Sequence, residues 1–170
     1  MATLRELYPI ESTKPLKKTI QMTIKMFFAL IFVLIYAFFA SLGKTAGSPI
    51  SSGIFYVILG AGISIIMLII ILKYIYEVFY MKSYFYDVNG KTIVIRKGVF
   101  SRNEINLPFN RLQDVYVDQD FLDRIFGLYD VHVSSATSVS ESLSHIDGVN
   151  KENSEALKKL FLEAIHEKNS

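Results

Sequence analysis

The chain has no Cys, no Trp and only four Pro among 170 residues, and two long stretches carry no charged side chain. The absence of Cys excludes disulfide bonds and thiolate metal sites. The uncharged run 50–72 is long enough for a membrane span, because about 20 apolar residues of helix cross a bilayer core about 30 Å thick. The alternative is a buried helix of a soluble protein, but such a helix usually carries a polar stripe, which this run lacks. The run therefore predicts a membrane span.

A second uncharged run, 26–42, precedes the first. It is slightly short for a span, but a start near Thr19, with Lys25 reaching the interface, would extend it. A cleaved signal peptide is the alternative, although no small-residue cleavage pattern follows the run. The stretch 43–49 between the runs is rich in turn residues and too short for a domain. Together the runs predict a two-helix transmembrane hairpin, which with an aromatic interfacial extension occupies residues 26–82.

Positive charge is concentrated around the predicted spans. Up to Lys82 the chain has eight Lys/Arg and three Asp/Glu, whereas the remainder has ten and thirteen. Because Lys and Arg are in excess on the cytoplasmic side of spans, the basic N-terminal tail 1–25 and the exit of the second span are predicted to be cytoplasmic. We therefore expect a multi-pass protein of the cytoplasmic (inner) membrane with both termini in the cytoplasm. The mildly acidic remainder, 83–170, argues against nucleic acid as a partner.

From Ser83 the spacing of apolar residues changes from 3.6 to 2, which is typical of strands. Asn89-Gly90 supplies the positive φ angles of a two-residue turn, so a β-hairpin is expected around it. In the second strand of that hairpin, Ile93 and Ile95 share one face. The polar, Ser-rich stretch 134–144 is expected to be a loop or an irregular edge strand. The predicted strands are 84–88, 91–97, 104–107, 112–119 and one around Val131 and Val133.

Two helices complete this part of the chain. Asp120 is suited to cap a short helix, 121–126, which Gly127 would end. From about 150 to 168, apolar residues recur at i, i+3, i+4, i+7 and i+8 and form one stripe that must cover a sheet. The predicted fold class is α+β: the transmembrane hairpin, then a small antiparallel β domain capped by this C-terminal amphipathic helix. The stripe consists of Leu157, Leu160, Phe161, Ala164 and Ile165.

The block 98–135 carries an ordered set of short motifs. A Gly-apolar turn and a Leu-Pro pair are followed by Arg-Leu-Gln, a Leu-x-Arg, an apolar-Gly-Leu and a Val-x-Val strand. In content and order this block resembles the bacterial pleckstrin-homology (PH)-like domain of YdbS-like membrane proteins, which commonly follows two spans. The matching positions to which the resemblance gives structural roles include Pro108, Arg111, Gln113, Gln119, Arg124 and Gly127.

The resemblance covers about residues 26–165. It implies a PH-like fold for 83–170 and association with a membrane, and it supplies no reaction. One departure is that Ser134-Ser135-Ala136-Thr137 stands where the family often has Thr-Ala-Gly after the last strand.

Catalytic and metal-binding patterns are scarce in the chain. Asp118, Asp120 and Asp123 could hold a divalent cation, but the Gly and distal Glu of a calcium loop are absent, and Asp120 is better used as a helix cap. The three His residues lack the spacing of zinc ligands, and neither a Gly-x-Ser-x-Gly nucleophile elbow nor a phosphate-binding Gly loop occurs. We therefore expect no metal, no cofactor, no small-molecule substrate and no enzymatic activity.

The turn from Arg96 to Arg102 is the candidate binding surface for a lipid or a protein partner. Arg96, Lys97 and Arg102 bracket Val99 and Phe100, a combination suited to anionic headgroups and a shallow apolar insertion. The alternative is an ordinary exposed turn whose Phe100 packs on the core. The tip of the first hairpin has only one cation, so the phosphoinositide site of eukaryotic PH domains is not supported.

Three functions follow from these features. The first is a non-enzymatic, membrane-anchored PH-like module for protein–protein interaction or assembly, with a second copy or another membrane protein as partner. The alternative is sensing of anionic lipid headgroups through Arg96, Lys97, Phe100 and Arg102. The third and least supported is an enzyme acting on a membrane substrate, which a bound metal or cofactor would indicate.

Overall fold

The structure is a computed structural model that describes residues 2–42, 52–135 and 144–166. The chain divides into two compact units. One unit combines residues 1–17 with residues 76–170 and contains every strand that the structure describes, and the other consists of residues 18–75. We refer to them as the sheet unit and the helical unit.

Two long helices supply the helical unit: α2, Lys14–Leu42, and α3, Ser52–Ser83, whose last turns from Tyr76 count with the sheet unit. Among the described residues, one segment, Gly60–Ser83, is long and apolar enough to cross a membrane, with a mean hydropathy of 2.0. Its apolar side chains are mostly exposed, as lipid-facing side chains would be.

The first predicted span, 26–42, lies in α2 and does not meet the same criterion within the described residues. Pro15 stands in the first turn of α2, where its lack of a backbone N–H removes no hydrogen bond of the helix. The predicted turn 43–49 lies outside the described residues. The transmembrane hairpin therefore stays a prediction.

The first sheet of the sheet unit is antiparallel in the order β1-β2-β3. Strands β1 and β2 form the hairpin that the sequence predicts, and Gly90 in its turn has a φ of +59°. Ile93 and Ile95 are both fully buried, as the alternation predicts. The strands are β1, Phe85–Asn89; β2, Thr92–Lys97; and β3, Asn103–Pro108.

The second sheet is antiparallel in the order β4-β5-β6, so the structure has two three-stranded sheets where we expected one. Alternation tells which face of a strand is buried and not which strands pair, and this is why the division was missed. Strand β6 was not predicted, because Asp147 and Gly148 interrupt its apolar pattern. The strands are β4, Leu112–Asp118; β5, Tyr129–Ser135; and β6, His145–Val149.

Both predicted helices of this region are present. Helix α4, Phe121–Phe126, begins with a capping box between Asp120 and Asp123 and ends at Gly127 in the left-handed conformation. Helix α5, Lys151–His166, packs on β4 and β5. The core that these elements enclose includes Tyr84, Tyr86, Ile93, Ile95, Leu107, Leu112, Val115, Val131, Val133, Ile146, Val149, Leu157 and Phe161.

The first seventeen residues belong to the sheet unit, together with the strands. Within them, residues 3–17, which we call the N-terminal strap, begin with the short helix α1, Leu4–Leu7, whose Leu4 is buried in the core. The Tyr86 hydroxyl donates a hydrogen bond to the Tyr8 carbonyl. Further along, the Glu11 amide donates to the Gly148 carbonyl at 2.8 Å. The strap is therefore part of the folded domain.

Two buried lysines of the strap are paired with carboxylates. Lys14, which is 2% exposed, places its Nζ 2.8 Å from the Asp147 carbonyl oxygen and 3.1 Å from Asp147 Oδ2. Lys17 Nζ lies 2.6 Å from Asp123 Oδ1 and 3.0 Å from Asp120 Oδ2. Burial opposes the charge on Lys17, but the hydrogen bonds to Asp123 and Asp120 outweigh it and raise its pKa.

Gly148 makes room for one of these lysines. It has a φ of +80°, and a Cβ at this position would lie 2.7 Å from Cδ of Lys14. Asp130 completes the cluster, because its Oδ1 accepts a hydrogen bond from the Gly148 amide at 2.7 Å. Burial and the adjacent Asp147 carboxylate raise the pKa of Asp130 to about 8.

This pKa predicts a pH dependence of stability. Because an unfolded Asp ionises near pH 4, folding takes up a proton at Asp130 between about pH 4 and pH 8. The stabilisation is complete below about pH 4 and is lost as the pH rises through 8. In Asp130→Asn the amide can replace the protonated carboxyl at any pH. As the pH rises from about 4 to about 8, we expect the free energy of unfolding of this variant to increase relative to that of the wild type. The increase should be up to about 1.4 kcal/mol per pH unit.

The measurement is urea unfolding of the full chain in a neutral detergent, followed by circular dichroism at several pH values. The exposed Asp114→Asn is the matched control and should show no such trend. A difference between Asp130→Asn and the wild type that stays constant from pH 5 to pH 8 would contradict the prediction.

Candidate functional site

The turn between β2 and β3, residues 98–102, depends on a glycine at its start. Gly98 has a φ of +117°, and a Cβ there would lie only 1.8 Å from the Ser101 carbonyl oxygen. Side chains other than hydrogen are excluded by both facts. The close approach of Gly98 to Ser101 folds the turn back and presents the residues between them.

The apolar residue at the top of the turn is presented to the outside. Phe100 is 92% exposed, so the alternative in which it packs on the core is wrong. Its ring stacks on that of Tyr76 in the last turns of α3, with centroids 6.2 Å apart and planes 20° apart. Val99 beside it is half-buried. The turn therefore carries one exposed aromatic side chain, whose ring lies beside that of a tyrosine of the candidate span.

A cavity of about 460 Å³ lies beside this turn, within the sheet unit. Five of its lining residues are cations and one is a carboxylate, which gives the lining a net charge of +4. The cations come from the strap, the end of α3, β2 and the turn. We call this cavity the basic pocket; it is lined by Arg5, Lys82, Ser83, Phe85, Arg96, Lys97, Gly98, Arg102, Asn103 and Glu104.

The three cations predicted from the sequence have different environments. Arg96 donates from Nε to Glu104 Oε2 at 2.7 Å, and this hydrogen bond lowers the pKa of Glu104. Lys97 is only 5% exposed, with its ammonium 5.2 Å from the centroid of the Tyr84 ring. Its place is the wall of the pocket and not the outer surface that we expected. Arg102 is exposed at the end of the turn.

Two further cations of the pocket were missed in the sequence. The Arg5 guanidinium donates to the Lys82 carbonyl at 3.1 Å and to the Met81 carbonyl at 2.9 Å. It thereby binds the unpaired carbonyls at the end of α3. Lys82 was assigned to the membrane interface only, and Arg5 lies 77 residues from Lys82 in the chain. No local pattern connects two such distant positions.

Of the matched motif residues Gly98 lines the pocket, whereas the six positions to which the resemblance gives structural roles do not. Gln119 donates to the Leu128 carbonyl at 2.9 Å, Gly127 ends α4, and Pro108 ends β3. The other three, Arg111, Gln113 and Arg124, are exposed.

The Asp cluster that was considered for a metal is used within the fold. Asp120 and Asp123 form the capping box of α4 and bind Lys17, while Asp118 lies 3.2 Å from His132 Nε2. Within residues 2–42, 52–135 and 144–166 no group of three or more His, Asp or Glu side chains is arranged to hold a metal ion.

A family model for the bacterial PH domain matches residues 26–165, which is most of the chain. The match includes the candidate span and the strands that form the turn. No curated protein and no solved structure matches the chain significantly.

The geometry of the turn makes Gly98→Ala a sharp test of the site. The variant would combine an unfavourable φ of +117° with a clash between the new Cβ and the Ser101 carbonyl oxygen. We expect its free energy of unfolding to be lower than that of the wild type by at least about 3 kcal/mol. Gly90→Ala is the control, because Gly90 also has a positive φ but nothing lies within 4 Å of its Cβ. It should cost only about 1–2 kcal/mol. Equal losses in thermal unfolding of the two variants in detergent would show that the turn does not depend on this close approach.

Proposed function

The chain belongs to the bacterial PH domain family, and we propose that it is a membrane-anchored, non-catalytic interaction module at the cytoplasmic face of the inner membrane. A PH-like domain suggests a module that binds proteins or lipids. In our proposal helix α3 anchors the domain, and the turn 98–102 rests on the bilayer surface. The YdbS-like group, with two spans before the domain, is the kind of protein that this arrangement fits.

The observation that carries the proposal is the stacking of exposed Phe100 on Tyr76. Tyr76 lies in the last turns of the candidate span Gly60–Ser83, where aromatic residues are typical of a membrane interface. A side chain that contacts this part of the helix would share its depth. Burying a Phe side chain contributes about 1.5–3 kcal/mol, which is enough to orient a domain that is already tethered.

The contacts of the N-terminal strap support a second crossing. The strap and the strands form one unit, so both lie on the same side of any membrane. If Gly60–Ser83 crosses the bilayer, the chain between residues 18 and 59 has to cross it as well in order to return to that side. The proposed membrane part is therefore a hairpin. Basic residues Arg5 and Lys82 at its base favour the cytoplasmic side for the domain and both termini.

The proposed contact can be tested with a single fluorophore, because the chain has no Trp. Phe100→Trp, reconstituted as the full chain in vesicles, should emit at shorter wavelength than an exposed Trp. Lipids brominated near the headgroup should quench most of this emission, because the indole would lie among them.

The control is Lys91→Trp at the exposed tip of the first hairpin, which the five residues of β1 separate from the end of the candidate span. Its emission should be little affected by the brominated lipids. If the Trp at position 100 escapes quenching, or if both positions are quenched equally, the turn does not rest on the bilayer as proposed.

A second candidate function, self-association, is favoured by the exposed side of α4. Phe121 and Ile125 are four residues apart and therefore on one side of this helix, 77% and 62% exposed. Tyr116 on the preceding strand is also exposed. Neighbouring exposed apolar side chains of this size are typical of protein contact surfaces. We propose that a second copy of the chain covers them.

The absence of Cys provides a direct test of self-association, since one introduced thiol is the only thiol. In a two-fold symmetric dimer a residue near the axis meets its own copy. Ile125→Cys should therefore form a disulfide-linked dimer when native membranes are oxidised, and adding Phe121→Ser should reduce its yield several-fold. Lys159→Cys, exposed on α5, is the control and should stay monomeric. Equal dimer yields from the two positions would remove this candidate.

A further inference from the structure

The basic pocket has the charge and the size of a site for a small anion. Its lining carries a net charge of +4, and its volume of about 460 Å³ is that of a small-ligand site rather than of a cleft between two side chains. A cavity with this charge excludes cations and attracts anions from its surroundings. A purely apolar ligand would leave these charges without solvent or counter-ions.

The donors are of the kind that bind phosphate oxygens. Arg5 and Arg102 present planar guanidinium groups, which bind phosphate through two parallel hydrogen bonds. Arg5 is held in position by its hydrogen bonds to the carbonyls of Met81 and Lys82, which use one N–H group of each terminal nitrogen. The guanidinium therefore keeps N–H groups for an anion, in an orientation fixed before binding.

Two other groups adjust the field of the pocket. Lys97 is nearly buried, so water screens its charge less than that of an exposed lysine. Glu104 is the one carboxylate of the lining, and Arg96 pairs with it at 2.7 Å. Its charge is thus largely compensated, and it does not repel an anion that is bound by the remaining cations.

We propose that the basic pocket is a binding site for one phosphate-bearing anion, either the headgroup of an anionic phospholipid or a free phosphate compound. The lipid source rests on the proposed function, because Lys82 and Ser83 end the candidate span and would then lie at the depth of the headgroups. The site is at the base of the first hairpin, formed by Phe85, Arg96 and Lys97, and not at its tip.

The experiment is isothermal titration calorimetry on the full chain in a neutral maltoside detergent. The probes are dihexanoyl phosphatidylglycerol, dihexanoyl phosphatidylcholine and inorganic phosphate. We expect the anionic lipid to bind and the choline lipid to bind at least about tenfold more weakly, since the choline cation would lie near the positive lining. If inorganic phosphate binds as tightly as the anionic lipid, the natural ligand is a free phosphate compound and the lipid source is wrong.

Two variants test the assignment to these residues. Arg102→Gln and Lys82→Gln each remove one exposed cation of the lining and should weaken binding about tenfold. Lys91→Gln removes an exposed cation at the hairpin tip and should bind like the wild type. Thermal unfolding without ligand should be the same for all three variants, so a loss of binding is not a loss of fold.

The proposal is overturned if neither dihexanoyl phosphatidylglycerol nor inorganic phosphate binds. It is overturned as well if Arg102→Gln and Lys82→Gln bind the anionic lipid as tightly as Lys91→Gln does. It is also overturned if the choline lipid binds as tightly as the anionic lipid and inorganic phosphate does not bind. Failure here is separate from failure of the proposed function, because quenching of the Trp at position 100 by brominated lipids does not require an occupied pocket.

Discussion

The placement of two buried ammonium groups on carboxylates determines how the sheet unit is assembled. The side chains of Lys14, Lys17, Asp147 and Asp123 are largely shielded from solvent, whereas Asp120, the second partner of Lys17, is about half exposed. Removing two charges from water is costly, and their attraction compensates for it only in good geometry. Removing one partner from a buried pair typically costs about 3–5 kcal/mol, because a charge is left alone. The pairs therefore act chiefly by excluding other positions for the N-terminal strap.

The position of the strap in turn forms the basic pocket. Between its paired lysines and its start, the strap is held by the Tyr86 hydroxyl on Tyr8, and the Leu4 amide donates to Asp87 Oδ1 at 3.0 Å. These contacts bring Arg5 to the end of α3, where it binds two carbonyl groups. Without the strap the pocket would lack one of its five cations and one wall. The buried ion pairs of Lys14 and Lys17 thus help to position Arg5 at the basic pocket, because all three residues belong to the strap.

The features that could be predicted from the sequence are those with local causes. The Asn89-Gly90 turn, the Asp120 cap and the Gly127 end each act within a few residues, and the structure has them where they were expected. Strand β6 could not be recognised, because Asp147 and Gly148 serve contacts with Lys14, which is distant in sequence. The two-sheet arrangement was missed for the same reason, since strand pairing depends on contacts between segments that are distant in sequence.

At the site, the turn was predicted from the sequence, but the position of Lys97 and the contribution of Arg5 were not. Phe100 and Arg102 were recognised because they stand on a turn whose glycine marks it. The inward position of Lys97 could have been found, since it follows Ile93 and Ile95 at the same two-residue spacing. Arg5 could not have been found, because its partners are 76 and 77 residues away.

The strap also changes the argument about orientation. Counting cations treats Lys14 and Lys17 as charges beside a span, but both are compensated by carboxylates of the domain. Their contribution to the cytoplasmic preference is therefore smaller in the folded protein than the count suggests. The contacts of the strap set a stronger constraint on orientation than this charge count does. A strap that is hydrogen-bonded to β6 cannot lie on the opposite side of a bilayer from β6. Contacts within the domain, rather than the sum of charges, require both flanks of the proposed hairpin to share one side.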